Sequence, residues 1–81
     1  MSHSPLLIDV RTAEEFAQGS VPGAINIPLD ELPTQLETLQ NKGPITVFCE
    51  AGGRAGRAKM LLQNAGITEV TNGGGWRDII V

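Results

Sequence analysis

The sequence predicts one α/β domain, a mainly parallel central sheet with helices on both faces. Short apolar runs alternate with capped or amphipathic segments, and the connections between them are brief, the pattern of strands joined by helical crossovers. At 81 residues the chain can close one core and has no room for a second, so residues 1–81 read as a single domain. No internal repeat, linker or low-complexity stretch interrupts it.

Leu6-Leu7-Ile8-Asp9-Val10 is a short apolar run of the kind buried on both faces of a parallel sheet. Thr12 and Glu15 have the spacing of a capping box, which starts a short helix through Phe16 and Ala17 that Gly19 stops. Val21-Pro22-Gly23 reads as a turn, and Ala24 to Ile27 as a second strand ended by Pro28. Asp30 is the expected N-cap of a helix running to about Asn41, with Pro33 in its first turn and Leu32, Leu36 and Leu39 on its buried stripe. Lys42-Gly43-Pro44 closes it. Ile45 to Phe48 is the strongest strand, β-branched and aromatic. After a glycine-bearing loop comes a helix from about Ala55 to Ala65, burying Ala58, Leu61, Leu62 and Ala65, with Gly66 just past its end. Thr68 to Thr71 reads as the last strand, Gly73-Gly74-Gly75-Trp76 as a loop, and Trp76 to Ile80 as a closing helical turn.

Composition removes several functions. Apolar residues make up 41% and charged residues 19%, and the net charge is −3, which argues against nucleic acid or an anionic membrane as the main partner. No apolar run approaches the roughly 20 residues of a membrane span. The start, Met1 to Pro5, lacks the pattern of a secretory leader, so the chain as given is expected in the cytoplasm, or in the periplasm if a leader has been removed. One cysteine excludes an internal disulfide, a Cys-x-x-Cys redox pair and a cysteine-rich zinc site; neither metal nor cofactor is expected. His3, the one histidine, lies in the N-terminal stretch, so cysteine or serine catalysis with a histidine base has no credible base.

That cysteine, Cys49, stands where the strongest strand ends, and in parallel sheets ligands bind beyond the carboxyl ends of the strands. Cys49-Glu50-Ala51-Gly52-Gly53-Arg54 then forms a strand–loop–helix junction in which backbone N–H groups converge and the helix N-terminus adds partial positive charge. A thiol at the rim of such a cradle has a lowered pKa without a neighbouring base, and Arg54 adds full charge. A buried core cysteine would need neither the glycines nor the arginine. Cys49 is therefore the candidate nucleophile, and Glu50, Ala51, Gly52, Gly53 and Arg54 the candidate substrate-binding loop. Elsewhere, Asp9, Arg11 and Glu15 are expected to form an ion pair fixing the first helix to the sheet, and Glu50 a solvated side chain. Arg57 is either an anion-steering group or ordinary surface charge, and Trp76 either packing or a pocket wall.

These residues resemble the rhodanese family of sulfurtransferases. The loop is similar to that family's Cys-x-x-Gly-x-Arg active-site loop. Asp9-Val10-Arg11, Glu15-Phe16, Gly19, Val21-Pro22-Gly23-Ala24 and Asn26-Ile27-Pro28 resemble its signature ahead of the loop, and Gly74-Gly75-Trp76 its C-terminal signature. Within the family the likeness is to the short single-domain phage-shock rhodaneses. The resemblance implies that the cysteine takes a sulfane sulfur from a small anionic donor such as thiosulfate, forms a persulfide, and passes the sulfur to a thiophilic acceptor such as cyanide, a thiol or a protein; a monomer is expected. Loop amides and the loop arginine would hold the donor and the persulfide. Ser20 stands where the family commonly has histidine, and Ala55 where a serine commonly follows the loop arginine; the second bears on donor preference. Three other functions compete: a persulfide carrier, a non-catalytic regulatory module on the same scaffold, and a cysteine phosphatase or arsenate reductase. The last class uses Cys-x₅-Arg, whose arginine position is Ala55 here.

Overall fold

The computed structural model describes residues 4–80, so His3 lies outside the described residues. Four strands form one all-parallel sheet: β1 (Leu6–Asp9), β2 (Ile25–Asn26), β3 (Ile45–Cys49) and β4 (Val70–Gly75), in the order β2-β1-β3-β4. The helices are α1 (Ala13–Ala17), α2 (Leu36–Leu39) and α3 (Gly53–Asn64). Central β3 pairs with β1 from Leu6↔Ile45 to Asp9↔Phe48, which brings the ends of both strands to one rim. Among the described residues no helix is long and apolar enough to cross a membrane.

Strand alternation divides the sheet between two environments. Ile45, Val47 and Cys49 on β3 join Ile8 in the main core, beneath Ala55, Ala58 and Leu62 of α3 and Leu32 and Leu39 of the segment before β3. The two alanines leave room for α3 to lie close against the sheet. The second face carries Asp9 and Phe48, both fully buried; Asp9 is bonded to Ser20 in the turn that follows α1, and Ile79 covers Gly73 beside Thr46.

Thr12 caps α1 as expected: Glu15 N–H donates to Thr12 Oγ1 at 3.2 Å, and Thr12 N–H donates to Glu15 Oε1 at 3.0 Å. Four elements differ from expectation. The segment after Pro28 is a 3-10 helix, Leu29–Gln35, and only Leu36–Leu39 is α-helical, so Asp30 sits inside the first turn rather than capping it. The Glu31 N–H donates to Pro28 O at 2.8 Å and starts the segment before Asp30, so Pro33 falls beyond the first turn, where its missing N–H interrupts a regular helical ladder. Leu32 and Leu39 are nevertheless buried, as their spacing requires. α3 starts at Gly53, two residues ahead of Ala55, and Leu61 and Ala65 are half-buried rather than fully covered. β4 begins at Val70 and runs through the three glycines to Gly75. Glycine is a poor strand former, but it is required where another backbone comes close. A Cβ on Gly75 would lie 2.6 Å from the Glu50 carbonyl oxygen, and one on Gly73 2.6 Å from Ile79 Cδ1. The C-terminal turn is a 3-10 turn of Trp76–Asp78.

Candidate active site

Cys49 ends β3, and its residue is 1% exposed. Its Sγ accepts the Gly52 N–H at 2.9 Å and the Ala55 N–H at 3.4 Å. Ala55 is the third residue of α3, and the third-residue amide is one that an N-cap side chain ordinarily satisfies. The N-cap here is Gly52, which has no side chain to offer, so the sulfur takes over that capping role. Gly52 holds φ +106°, a left-handed conformation that favours glycine. Burial pushes the Cys49 thiol pKa up, but the amides of Ala55, Gly52, Ala51 and Arg54 outweigh it and hold the thiol below its ordinary value. The loop thus favours a thiolate through its own backbone N–H groups, and no histidine occurs among the described residues.

β4 completes the cradle from the far side. Its register slips between Val47↔Asn72 and Cys49↔Gly75, a bulge at Gly73 and Gly74. Gly75 backs onto the Glu50 carbonyl, and Asn72 Nδ2 donates to Gly52 O at 3.1 Å. Asn72 did not stand out in the sequence; its one signal is its place immediately before the glycine run.

Arg54 leaves the loop toward α1. Its Nη1 and Nη2 donate to Glu15 Oε1 and Oε2 at 2.7 and 3.1 Å, a two-pronged pair. Arg54 is the first reason the Glu15 carboxyl titrates at about 2, and the Thr12 cap adds to it. Glu15 in turn raises the pKa of Arg54, as does the negative charge of Cys49. No described residue engages Arg54 Nε. Of the expected trio, Asp9 and Arg11 do pair: Arg11 Nε and Nη2 reach the Asp9 carboxylate at 2.7–3.0 Å, and Nη2 also donates to Gly19 O at 2.6 Å. Glu15 pairs with Arg54 instead, because both project from the strand-end rim. Burial raises the pKa of Asp9, but hydrogen bonds from Arg11 and Ser20 hold it below the usual carboxylate value. Ser20 Oγ donates to Asp9 Oδ2 at 2.7 Å, so this departure from the family pattern serves the buried acid.

Glu50 is not simply solvated. Arg77 Nη1 donates to its Oε2 at 2.5 Å and Trp76 Nε1 to its Oε1 at 3.3 Å, with Arg11 Nη1 3.6 Å away. Two guanidinium groups stand over the Trp76 ring, Arg11 at 4.9 Å and Arg77 at 4.5 Å from its centre. With Glu15, Gln18 and Gly19 these residues line a polar pocket of about 210 Å³, and Trp76 is one of its walls. Ala51 and Gly53 are exposed on the loop. Arg57 is exposed on α3 and pairs with no other described residue.

The profile of the rhodanese-like domain matches residues 1–79. Thiosulfate sulfurtransferase PspE of Escherichia coli is 43% identical over 74 residues, covering 89% of this chain and 71% of its own. The human thiosulfate:glutathione sulfurtransferase is 33% identical, over 82% of this chain and 70% of its own. Among solved structures, a rhodanese with anions from E. coli superposes with a TM-score of 0.87 at 40% identity, covering 96% of this chain and 94% of that one. The matched profile, these relatives and the cysteine cradle at the strand end agree, and the chain belongs to the family of rhodanese-like domains.

Proposed function

We propose that the protein is a sulfurtransferase that moves a sulfane sulfur from a thiosulfate-type donor to a thiophilic acceptor through a persulfide on Cys49. The observation that carries this reading is a sulfur that accepts backbone N–H groups of the loop and helix, which favour its anion. The Cys49 thiolate attacks the outer sulfur of the donor; the new S–S bond forms as the old one breaks, and sulfite leaves with the electron pair. The acceptor, cyanide or a thiolate, then attacks the outer sulfur of the persulfide, and Cys49 departs as the thiolate it was. The same amides that hold the first anion hold it again, so no proton shuttle is needed. Arg54 binds the anionic donor through the edge that Glu15 leaves free. Support for the six-residue cradle over a phosphatase loop comes from Ala55, which is buried where that class places its arginine, and from Arg57, which points to solvent.

Intact mass after thiosulfate treatment tests the reading. The wild type is expected to gain the mass of one sulfur atom and to produce thiocyanate when cyanide follows, and Cys49→Ser to do neither. Turnover by that variant would defeat the assignment. A sulfur gain with no release to cyanide or small thiols would make the protein a carrier for a dedicated partner, and efficient aryl phosphate hydrolysis would favour the phosphatase class.

A further inference from the structure

We propose that Asn72 is a positioning residue of this site: from β4 it locks Gly52 in the left-handed turn that aims the Gly52 N–H at Cys49 Sγ, an inference resting on Cys49 being the reacting sulfur. The Asn72 amide works at both ends. Its Oδ1 accepts the Gly74 N–H at 2.9 Å, which fixes the amide's orientation and leaves Nδ2 to donate to Gly52 O at 3.1 Å. The reverse orientation would set N–H against N–H and oxygen against oxygen.

Gly52 O also accepts the Gly56 N–H of α3 at 2.9 Å. The carbonyl is therefore gripped from β4 and from the helix, while the N–H on the other side of the same Cα points at the sulfur from 2.9 Å. Glycine at φ +106° has no side chain to hold that conformation, so bonds to its peptide groups hold it, and the Asn72 bond is the one that comes from another strand. The β4 bulge puts Asn72 in place to make it. Gly52 also approaches this strand closely, since a Cβ there would lie 3.4 Å from Gly74 Cα.

Charged groups around the cradle are Arg54 on α3, Glu15 on α1, Glu50 in the loop, Asp9 and Arg11 at the end of β1, and Arg77 and Asp78 in the C-terminal turn. Asn72→Ala alters none of these charges, so a change in Cys49 titration reports the hydrogen bonds. Losing a donor to the thiolate raises its pKa. The probe is iodoacetamide alkylation rate against pH, with the thermal midpoint followed by circular dichroism. Asn72→Ala is expected to move the alkylation inflection up by about half a unit, roughly a threefold slower reaction on the acid side of the curve. Asn72→Leu, which keeps the volume and loses both bonds, is expected to do the same. Thr71→Ala, exposed on the same strand, is expected to leave the inflection in place.

An unmoved inflection in folded Ala and Leu variants overturns the proposal, as does an equal shift in Thr71→Ala. Failure of both Asn72 variants to fold also overturns it, because the residue would then serve stability rather than aim. Alkylation needs no sulfur donor. A wild type with a low inflection that gains no sulfur from thiosulfate would defeat the sulfur-transfer reading and leave this one standing.

Discussion

Cys49 is held on its two sides by different materials. Toward α3 and β4 the cradle is backbone: amides of the loop and helix, a left-handed glycine, and a glycine strand pressed against the Glu50 carbonyl. Toward α1 and the C-terminal turn the rim is side chain: the Arg54–Glu15 fork, the Arg11–Asp9 pair, and Trp76 with two arginines over its ring and Glu50 beside it. Backbone donors are removed only by proline and stay fixed as charge moves, which suits a sulfur held as its anion. Apart from the buried Arg11–Asp9 pair, these side chains are exchangeable and partly exposed, which suits recognition of one donor or acceptor over another. On the proposed function, reactivity would belong to the cradle and preference to the rim.

Changes to the cradle should therefore cost most. Gly75→Ala would push a methyl to 2.6 Å from a carbonyl oxygen that cannot swing aside, and should lose about 3 kcal/mol of stability, the upper end of overpacking costs. Denaturant unfolding measures it, and the alkylation inflection should rise as the loop is displaced. A stable Gly75→Ala with unaltered Cys49 reactivity would break the backbone half of the comparison.

On the rim, Arg54→Ala should lower kcat/KM for thiosulfate by ~1.5–3 kcal/mol, the range for a charged hydrogen bond, with part of the loss in KM. Arg54→Lys should recover a fraction, because a point charge lacks the planar fork. Arg57→Ala should cost less and lose its effect in high salt. If Arg57→Ala were the more damaging change, the six-residue cradle would be the wrong frame.

Glu15 sharpens the contrast through pH. Its carboxyl titrates at about 2 in the folded protein against an ordinary 4.5. The folded state thus binds fewer protons than the unfolded one, and the pair's stabilisation is complete above the unfolded value and disappears as pH falls through about 2. Glu15→Gln, which keeps a capping oxygen, should lower the thermal midpoint near neutrality. The gap from wild type should close on acidification through that window. A gap that stays constant would mean the pair adds nothing beyond the cap.

The smallest effect tests the limits of the cradle. A Cβ at Gly53 meets nothing within 4 Å, and its φ is not left-handed, so Gly53→Ala should be neutral or stabilise α3 by about 0.5–1 kcal/mol. Thermal unfolding would read it, with Cys49 alkylation unchanged. A loss of reactivity there would show that the loop needs freedom at Gly53 as well as shape at Gly52.

Local chemistry carried much of this into the sequence. The Thr12–Glu15 capping box, the β-branched run of β3 and the Leu32 and Leu39 stripe each depend on neighbours a few residues away, and each is in place. Elements whose form depends on distant atoms were less legible. Propensity reads Gly73 to Gly75 as a loop, while they belong to a strand paired with β3, and Ile79 and the Glu50 carbonyl leave no room for a Cβ at Gly73 and Gly75. Asp30 has the chemistry of an N-cap, yet Pro28 and Pro33 bend that segment into a 3-10 helix that starts before it. In the site, Cys49 and its loop were readable because the amides that serve it are contiguous with it. The partners of Arg54, Glu50 and Gly52 were not, since they come from 26, 27, 39 or 20 residues away.

By itself, then, the sequence determined the order of strands and helices, the sole thiol and the glycine loop that turns its amides inward, because hydrophobic period, capping and glycine conformation act along the chain. Tertiary structure decided which charges meet. Glu15 faces Arg54, Glu50 faces Arg77 and Trp76, and Asn72 reaches Gly52, because parallel pairing gathers the ends of β1, β3 and β4 onto one rim. Spacing in sequence sets what a residue can do, but ion pairs and clamps require distances of a few ångströms, and those are set only when the sheet closes.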